Sequence, residues 1–317
     1  MPHAGPSVPS EGGGWPHRLA LLTLCATLLL IVAGALVTSL GAGLAVPDWP
    51  TTFGHDMFSF PLSRMAGGVL VEHSHRLMGS VVGILTILTA GSILWRDGRR
   101  WLRALGVAAL ALVVLQGVLG GMRVVLLKLD LAVLHACTAQ LFFGLMAGIA
   151  LFTSRAWTRS GGDLSFAAGP PLARLAALAA GALYLQTALG AYLRHTGEGA
   201  ELHLTFAVVA AAAALWAAGR AIRECGSHPA VLRAANLVWI LLVVQVLLGA
   251  GAFVGKYTEW ADPLLPYAAV AALGAAHVAG GSLLFAAALV LAIWLRRLQP
   301  AAPEPARGGA LPGQAAA

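Results

Sequence analysis

Apolar residues run through the chain in eight long stretches, at 19–40, 73–95, 101–122, 131–153, 172–193, 202–219, 231–253 and 266–295, parted by short polar segments. About 20 apolar residues are enough for a helix to cross a bilayer. Open sheets are ruled out in hydrocarbon, because their edges leave backbone groups unpaired. The pattern therefore predicts an all-α integral membrane protein with eight transmembrane helices, and it leaves no room for a sizeable soluble domain.

Composition agrees. Of 317 residues, 59% are hydrophobic and 10% charged, where a soluble chain would carry about a quarter charged. Mean hydropathy is +0.81. The first stretch, 19–40, exceeds the ~7–15 apolar residues of a signal-peptide core, so it is expected to stay as a span. The charges then orient the helices. Arg18, the Arg96–Arg103 group, Arg155, Arg159, Arg174, Arg220, Arg223, Arg233, Arg296, Arg297 and Arg307 all fall at one end of the spans. That end holds 14 of the 20 basic residues and five acids, against six basic and eight acidic residues at the other. Positive charge collects on the cytoplasmic side, so both termini are expected there, in a cytoplasmic (inner) membrane. The net charge of +7 reads as topology, and no nucleic-acid partner is needed to explain it. Cys25, Cys137 and Cys225 form neither a disulfide framework nor a thiolate metal motif, and read as small packing residues.

The sequence also repeats. QGVLGGMR (116–123), QTALGAYLR (186–194) and QVLLGAGAF (245–253) share Q-x-x-L-G near the outer end of a span, and a histidine opens the next span: His135, His203 and His277. LIVAGALVT (30–38) is a weaker copy, with Leu30 in place of the glutamine, and is followed by His75. The stretch SRAWTRSGGDLSFAAGPPLAR divides the chain, its Gly, Ser and Pro content suiting a connection. The expected organisation is a disordered N-terminus (1–16), a four-helix half (17–154), a cytoplasmic linker (155–171), a second four-helix half (172–297) and a disordered tail (298–317), the halves being pseudo-symmetric bundles. Two readings stay open for Gly120, Gly190 and Gly249: close helix packing, or room for a flat ligand.

A lone histidine in a membrane helix is more often a core residue or proton relay than a ligand. Four at one depth, as two pairs (His75 with His135, His203 with His277), suit axial ligation of haem iron across a bundle; relay and structural roles remain the alternatives. Zinc would want three or four ligands, commonly including a carboxylate or thiolate, and neither half offers that set. The halves differ in one respect. Glu72 precedes His75 by three residues and so shares its helix face, whereas Glu201 precedes His203 by two. Glu72 has a blander reading as a carboxylate at a helix N-terminus. Arg76, Arg123 and Lys128 in the first half, and Arg194 and Lys256 in the second, are natural anchors for propionates; His195 beside Arg194 could approach one too. His73 lies about 200° around the helix from His75 and is expected at the lipid–water boundary. His55 and Asp56 are unassigned loop residues, while His3, His17 and His228 read as incidental.

GLAVPDWPTTFG (43–54), EHSHRLMG (72–79) and the four histidine-bearing helix pairs together resemble the haem A synthases, over residues 18–297. That resemblance implies oxidation of the C8 methyl of haem O to a formyl group, by successive hydroxylations, for cytochrome oxidase biogenesis. It implies proton handling or substrate placement by Glu72, substrate haem at His75 and His135, and a haem b cofactor at His203 and His277. A carboxyl in a low-dielectric pocket suits proton transfer, and a farnesylated substrate suits a pocket open to lipid. The farnesyltransferase that makes haem O, an electron donor and further copies of the chain are the candidate partners. The sequence departs from the family pattern in one place: many members carry a cysteine pair in the first outer loop, and AVPDWPTTFGHDMF has none. The alternative function is a di-haem b membrane cytochrome that only transfers electrons; a transient haem carrier is a third class.

Overall fold

The computed structural model describes residues 12–159, 170–258 and 265–298. Nine helices are found among them: α1 (Trp15–Ser39), α2 (Gly67–Arg96), α3 (Arg100–Leu126), α4 (Leu129–Phe152), a short α5 (Arg155–Arg159), α6 (Pro170–Thr196), α7 (Ala200–Cys225), α8 (Pro229–Tyr257) and α9 (Tyr267–Arg297). All but α5 are long and apolar enough to cross a membrane, as the hydrophobic pattern predicts, and no strand occurs among the described residues.

Local sequence sets the helix ends. Pro16 and Pro229 lie in the first turns of α1 and α8, where the missing N–H costs nothing. Leu127, with φ +54°, stops α3. Gly197 and Gly199, both at φ +80°, turn the chain between α6 and α7 in a conformation that suits glycine. α2 begins at Gly67, six residues before the apolar stretch predicted at 73. Glu72 therefore lies in the second turn of α2, not at its N-terminus.

Helix contacts run round α1–α2–α3–α4 and round α6–α7–α8–α9, and the two sets meet where α1 and α4 pack on α6 and α9. Ile31, Phe143, Ala147 and Ala286 form a small core at that junction. α9 and α4 are the most enclosed spans, with 67% and 50% of their central windows buried against 11% for α8; the exposed faces of α8 and its neighbours are left to lipid. His17, read from sequence as incidental, reaches the carbonyl of Ala150 at 3.0 Å and ties α1 to α4. Gly13 N–H donates to Thr153 O at 3.0 Å, so the part of the expected disordered N-terminus that is described packs on the end of α4. Arg155–Arg159 in the expected linker is helical. The remainder of that linker, 160–169, and of both expected tails, 1–11 and 299–317, lies outside the described residues.

Candidate functional site

The four histidines share one local arrangement. A Cβ added to Gly34, Gly120, Gly190 or Gly249 would stand 2.9, 3.1, 3.0 or 2.8 Å from Cε1 of His75, His135, His203 or His277, respectively. In each case the first helix of a pair presents a glycine and the next long helix lays an imidazole on it. The repeated glutamine reads the same neighbour. Gln116 Nε2 donates to His135 O at 3.1 Å, Gln186 Nε2 to His203 O at 3.0 Å, and Gln245 Nε2 lies 3.4 Å from His277 Nε2. Leu30 stands in that place on α1, so His75 alone lacks the amide.

Polar atoms around these rings are left over. Nδ1 of His75, His135 and His277 and Oε1 of Gln116, Gln186 and Gln245 are buried with no hydrogen-bond partner. Buried polar atoms are normally satisfied, and each imidazole as a whole remains only half-buried. The accessible surface therefore lies away from Nδ1. The His203 and His277 rings face each other with centroids 6.4 Å apart and planes at 84°. Two metal–imidazole bonds of about 2 Å, with about 1.1 Å more from each nitrogen to its ring centre, span roughly 6.2 Å. The centroid separation of the pair thus matches that of two imidazoles sharing one metal ion. No cluster of three or more His, Cys, Asp or Glu side chains occurs among the described residues, which a bare zinc site would need. His75 and His135 show no such ring pairing among the described residues, although both lie within electrostatic reach of Arg123.

The stretch around Glu72 divides its work. His75 turns to Gly34 on α1, while Glu72, His73 and Arg76 hold the outer loop between α1 and α2. Glu72, 4% exposed, accepts from the Val46 N–H through Oε2 at 2.9 Å and from Arg76 through Oε1 at 2.8 Å. Arg76 also donates to the carbonyls of Val46, Asp48 and Thr51. Four hydrogen bonds from its two terminal nitrogens thus tie the guanidinium to the loop and to Glu72. His73, expected at the lipid–water boundary, is placed differently. It is 1% exposed, pairs with Thr52 Oγ1 at 3.1 Å and packs on Phe60. The loop folds back over α2, and a residue facing away from His75 meets protein there.

The P-D-W-P element completes this loop. Asp48 accepts from Thr51 Oγ1 and from the backbone of Phe53 at 2.7 Å and Gly54 at 2.8 Å. Desolvation opposes its ionisation, but the Gly54, Thr51 and Phe53 hydrogen bonds outweigh it and hold the carboxyl below its usual 3.8. The Trp49–Pro50 bond is cis, and the Trp49 indole lies on Gly121 of α3, where a side chain would collide with it. Asp56 caps the 3₁₀ turn Met57–Ser59, and His55 meets Arg64 at 3.3 Å, so neither approaches the imidazoles.

The other cations differ in how much of them is free. Arg123 makes one hydrogen bond, to Gly43 O at 3.2 Å, and has no carboxylate at ion-pair distance among the described residues. Lys128 is exposed at the N-terminus of α4. Arg194 crosses from α6 to α1, donating to Ala35 O and to Ser39 Oγ at 2.6 Å. His195 lies within electrostatic reach of Arg123, Arg194 and His135. Lys256 is exposed, with its amine over the Tyr257 ring.

Eight membrane-length helices with four glycine-backed imidazoles in register define a polytopic helical membrane protein built around four half-buried histidines. Residues 17–202 match the family described as cytochrome oxidase assembly protein; this is more than half of the chain, and the chain belongs to that family. It is similar to the heme A synthase of Shouchella clausii, 34% identical over 185 residues, which cover 56% of this chain and 59% of that relative. It is also similar to the heme A synthases of Alkalihalophilus pseudofirmus (33% identity, 33% and 35% covered) and Listeria monocytogenes (33% identity, 41% of each chain). The matches therefore span about a third to three-fifths of these curated relatives. The family match includes Glu72, His75 and His135, while His203 and His277 lie beyond it.

Proposed function

We propose that this protein is a haem A synthase, oxidising the C8 methyl of haem O to a formyl group through two hydroxylations and loss of water, with a haem b cofactor in its second half. The observation that carries the reading is the His203–His277 pair, with ring centroids 6.4 Å apart, whose glycine-backed setting recurs at His75 and His135 in a chain similar to named heme A synthases. His203 and His277 hold the haem b iron; His75 and His135 receive the iron of the substrate. When bound, the porphyrin iron supplies the oxidising chemistry.

The chain's own residues position the reactants and manage protons. Gly34, Gly120, Gly190 and Gly249 fix where each imidazole stands. Arg123, with most of its donors unspent, and Lys128 meet the substrate's propionates. Glu72 lies on the His75 helix within one turn and is the carboxylate that can hold a proton there. Each of its oxygens accepts one hydrogen bond and keeps a lone pair for a proton; protonation removes the charge that pairs with Arg76, and proton transfer is thereby linked to the outer loop. The termini and the arginine-rich ends of the helices face the cytoplasm, in the cytoplasmic membrane. The farnesyltransferase that supplies haem O and an electron donor are the partners this reaction calls for.

The full engagement of Glu72 also favours a second reading, a membrane cytochrome carrying two b haems in which Glu72 is structural. Co-expression with a haem O-forming farnesyltransferase, followed by haem extraction and chromatography, separates the two. Haem A from the wild type, and haem O or its hydroxylated form from Glu72→Ala, supports the synthase. Unmodified haem from both rejects it.

A further inference from the structure

A cavity lined by none of the four histidines lies between α6 and α9. It measures about 530 Å³, within the size range of ligand sites. Its walls are Ala177, Ala180 and Gly181 on α6 and Leu289, Ala292 and Ile293 on α9. Arg174 and Arg296 stand at one end. Tyr184 and Phe285, with ring centroids 5.7 Å apart, close the other.

Three observations indicate what it holds. The first is length. Arg174 to Tyr184 is ten residues and Arg296 to Phe285 eleven, so the groove is about 15–17 Å long at ~1.5 Å per residue. That is half of a ~30 Å hydrocarbon core, the depth of one leaflet. The second is composition: small residues on α6 leave a trough where larger side chains would fill the gap, and the trough lies within two membrane spans. The third is charge. Arg174 and Arg296 are exposed and form no ion pair among the described residues. The described acids at this end are already used, Asp97 by Arg99 and Glu224 by Arg220, each at 2.7 Å. The described protein thus pairs neither arginine with an acid, and basic pockets between membrane helices take anionic headgroups.

We propose that this groove binds an anionic phospholipid of the leaflet at the arginine-rich end, with one acyl chain on the alanine trough and the phosphate between Arg174 and Arg296. The site is separate from the histidines and does not depend on the haem reading.

The test uses delipidated full-length protein in detergent, titrated with dioleoyl phosphatidylglycerol or dioleoyl phosphatidylcholine and followed by thermal unfolding and by lipid retained per protein. Phosphatidylglycerol should raise Tm and stay bound, and phosphatidylcholine should do so weakly. Each arginine near an anionic headgroup contributes about fivefold in affinity, so Arg174→Gln/Arg296→Gln should weaken phosphatidylglycerol binding about 25-fold while leaving unliganded Tm unchanged. Gly181→Leu, which fills the trough, should abolish retention. Equal response to both lipids, an unaffected double variant, or the same Tm gain from inorganic phosphate alone would overturn the proposal. So would light scattering that shows a wild-type dimer made monomeric by Gly181→Leu, since a second copy would then fill the groove. Residues 160–169 would be the occupant if no lipid shifts Tm and Gly181→Leu exposes them to protease.

Discussion

Glu72 and Arg76, one helical turn apart, close on the same residue from its two sides: Glu72 accepts the Val46 N–H at 2.9 Å and Arg76 donates to the Val46 carbonyl at 2.9 Å. Their own ion pair, at 2.8 Å with both side chains at most 10% exposed, finishes the ring. A segment of outer loop is thus clamped to the helix that carries His75. The clamp consists of the same side chains whose presence at the mouth of an apolar helix marks the region as functional.

Breaking that clamp from the cationic side should be the more damaging change. Arg76→Ala leaves the Glu72 carboxylate buried without its partner, an arrangement that costs about 3–5 kcal/mol, and also frees the carbonyls of Asp48 and Thr51. Glu72→Gln keeps an acceptor for Val46 and should cost about 1–3 kcal/mol. Thermal unfolding of the purified variants gives the ranking, and limited proteolysis between residues 53 and 64 reports the loop. Equal loss in both variants would mean that the loss of the ion pair sets the cost and that the other Arg76 contacts add nothing.

The loop should also open in acid. Asp48 is held below its unfolded value of 3.8, so its contribution is complete above that pH and is lost as pH falls through the lower folded value. Protease sensitivity of the loop should therefore rise below about pH 3.8 in the wild type. In Asp48→Asn it should already be high at pH 7, with no further change attributable to this residue on acidification.

The sequence shows the helices and the four-fold register of histidines because both follow from short-range spacing: apolar runs, and Q-x-x-L-G followed by a histidine. It left open whether the glycines serve helix packing or a ligand, and the structure gives a more specific answer, since each glycine makes room for an imidazole of the next long helix. The loop contacts of Arg76 and the burial of His73 are not legible in the sequence, for one physical reason. Their partners, Val46, Asp48, Thr51 and Thr52, lie 21 to 30 residues earlier in an irregular loop, and a helical wheel knows nothing of a loop that folds back over it. The early start of α2 was hidden in the same way, because Gly67 and Gly68 carry no capping signal.

Adding one methyl at the glycines should move the rings. Gly249→Ala and Gly34→Ala would bring Cβ to 2.8 and 2.9 Å from the imidazoles, against 3.1 Å for Gly120→Ala. Overpacking of this kind costs about 1–3 kcal/mol, and the first two should lose more stability than the third. Gly249→Ala should also shift the Soret band of haem bound in the second half, whereas Gly181→Ala, with nothing within 4 Å of its added Cβ, should not.

Removing the imidazoles themselves distinguishes the two halves. If His203 and His277 hold the resident haem b, His203→Ala or His277→Ala should purify almost without haem, by pyridine haemochrome assay, even when no haem O is made. His75→Ala and His135→Ala should keep that haem and lose only the capacity to take up haem O. The glutamines act through the histidines, as their amides reach the His203 carbonyl and the His277 ring. Gln186→Ala and Gln245→Ala should therefore weaken haem b binding about 10–100-fold and broaden its low-spin spectrum, with the fold intact by circular dichroism. Haem loss spread evenly over all four histidine variants would show that the chain has one shared site, and the division of labour between its halves would have to be abandoned.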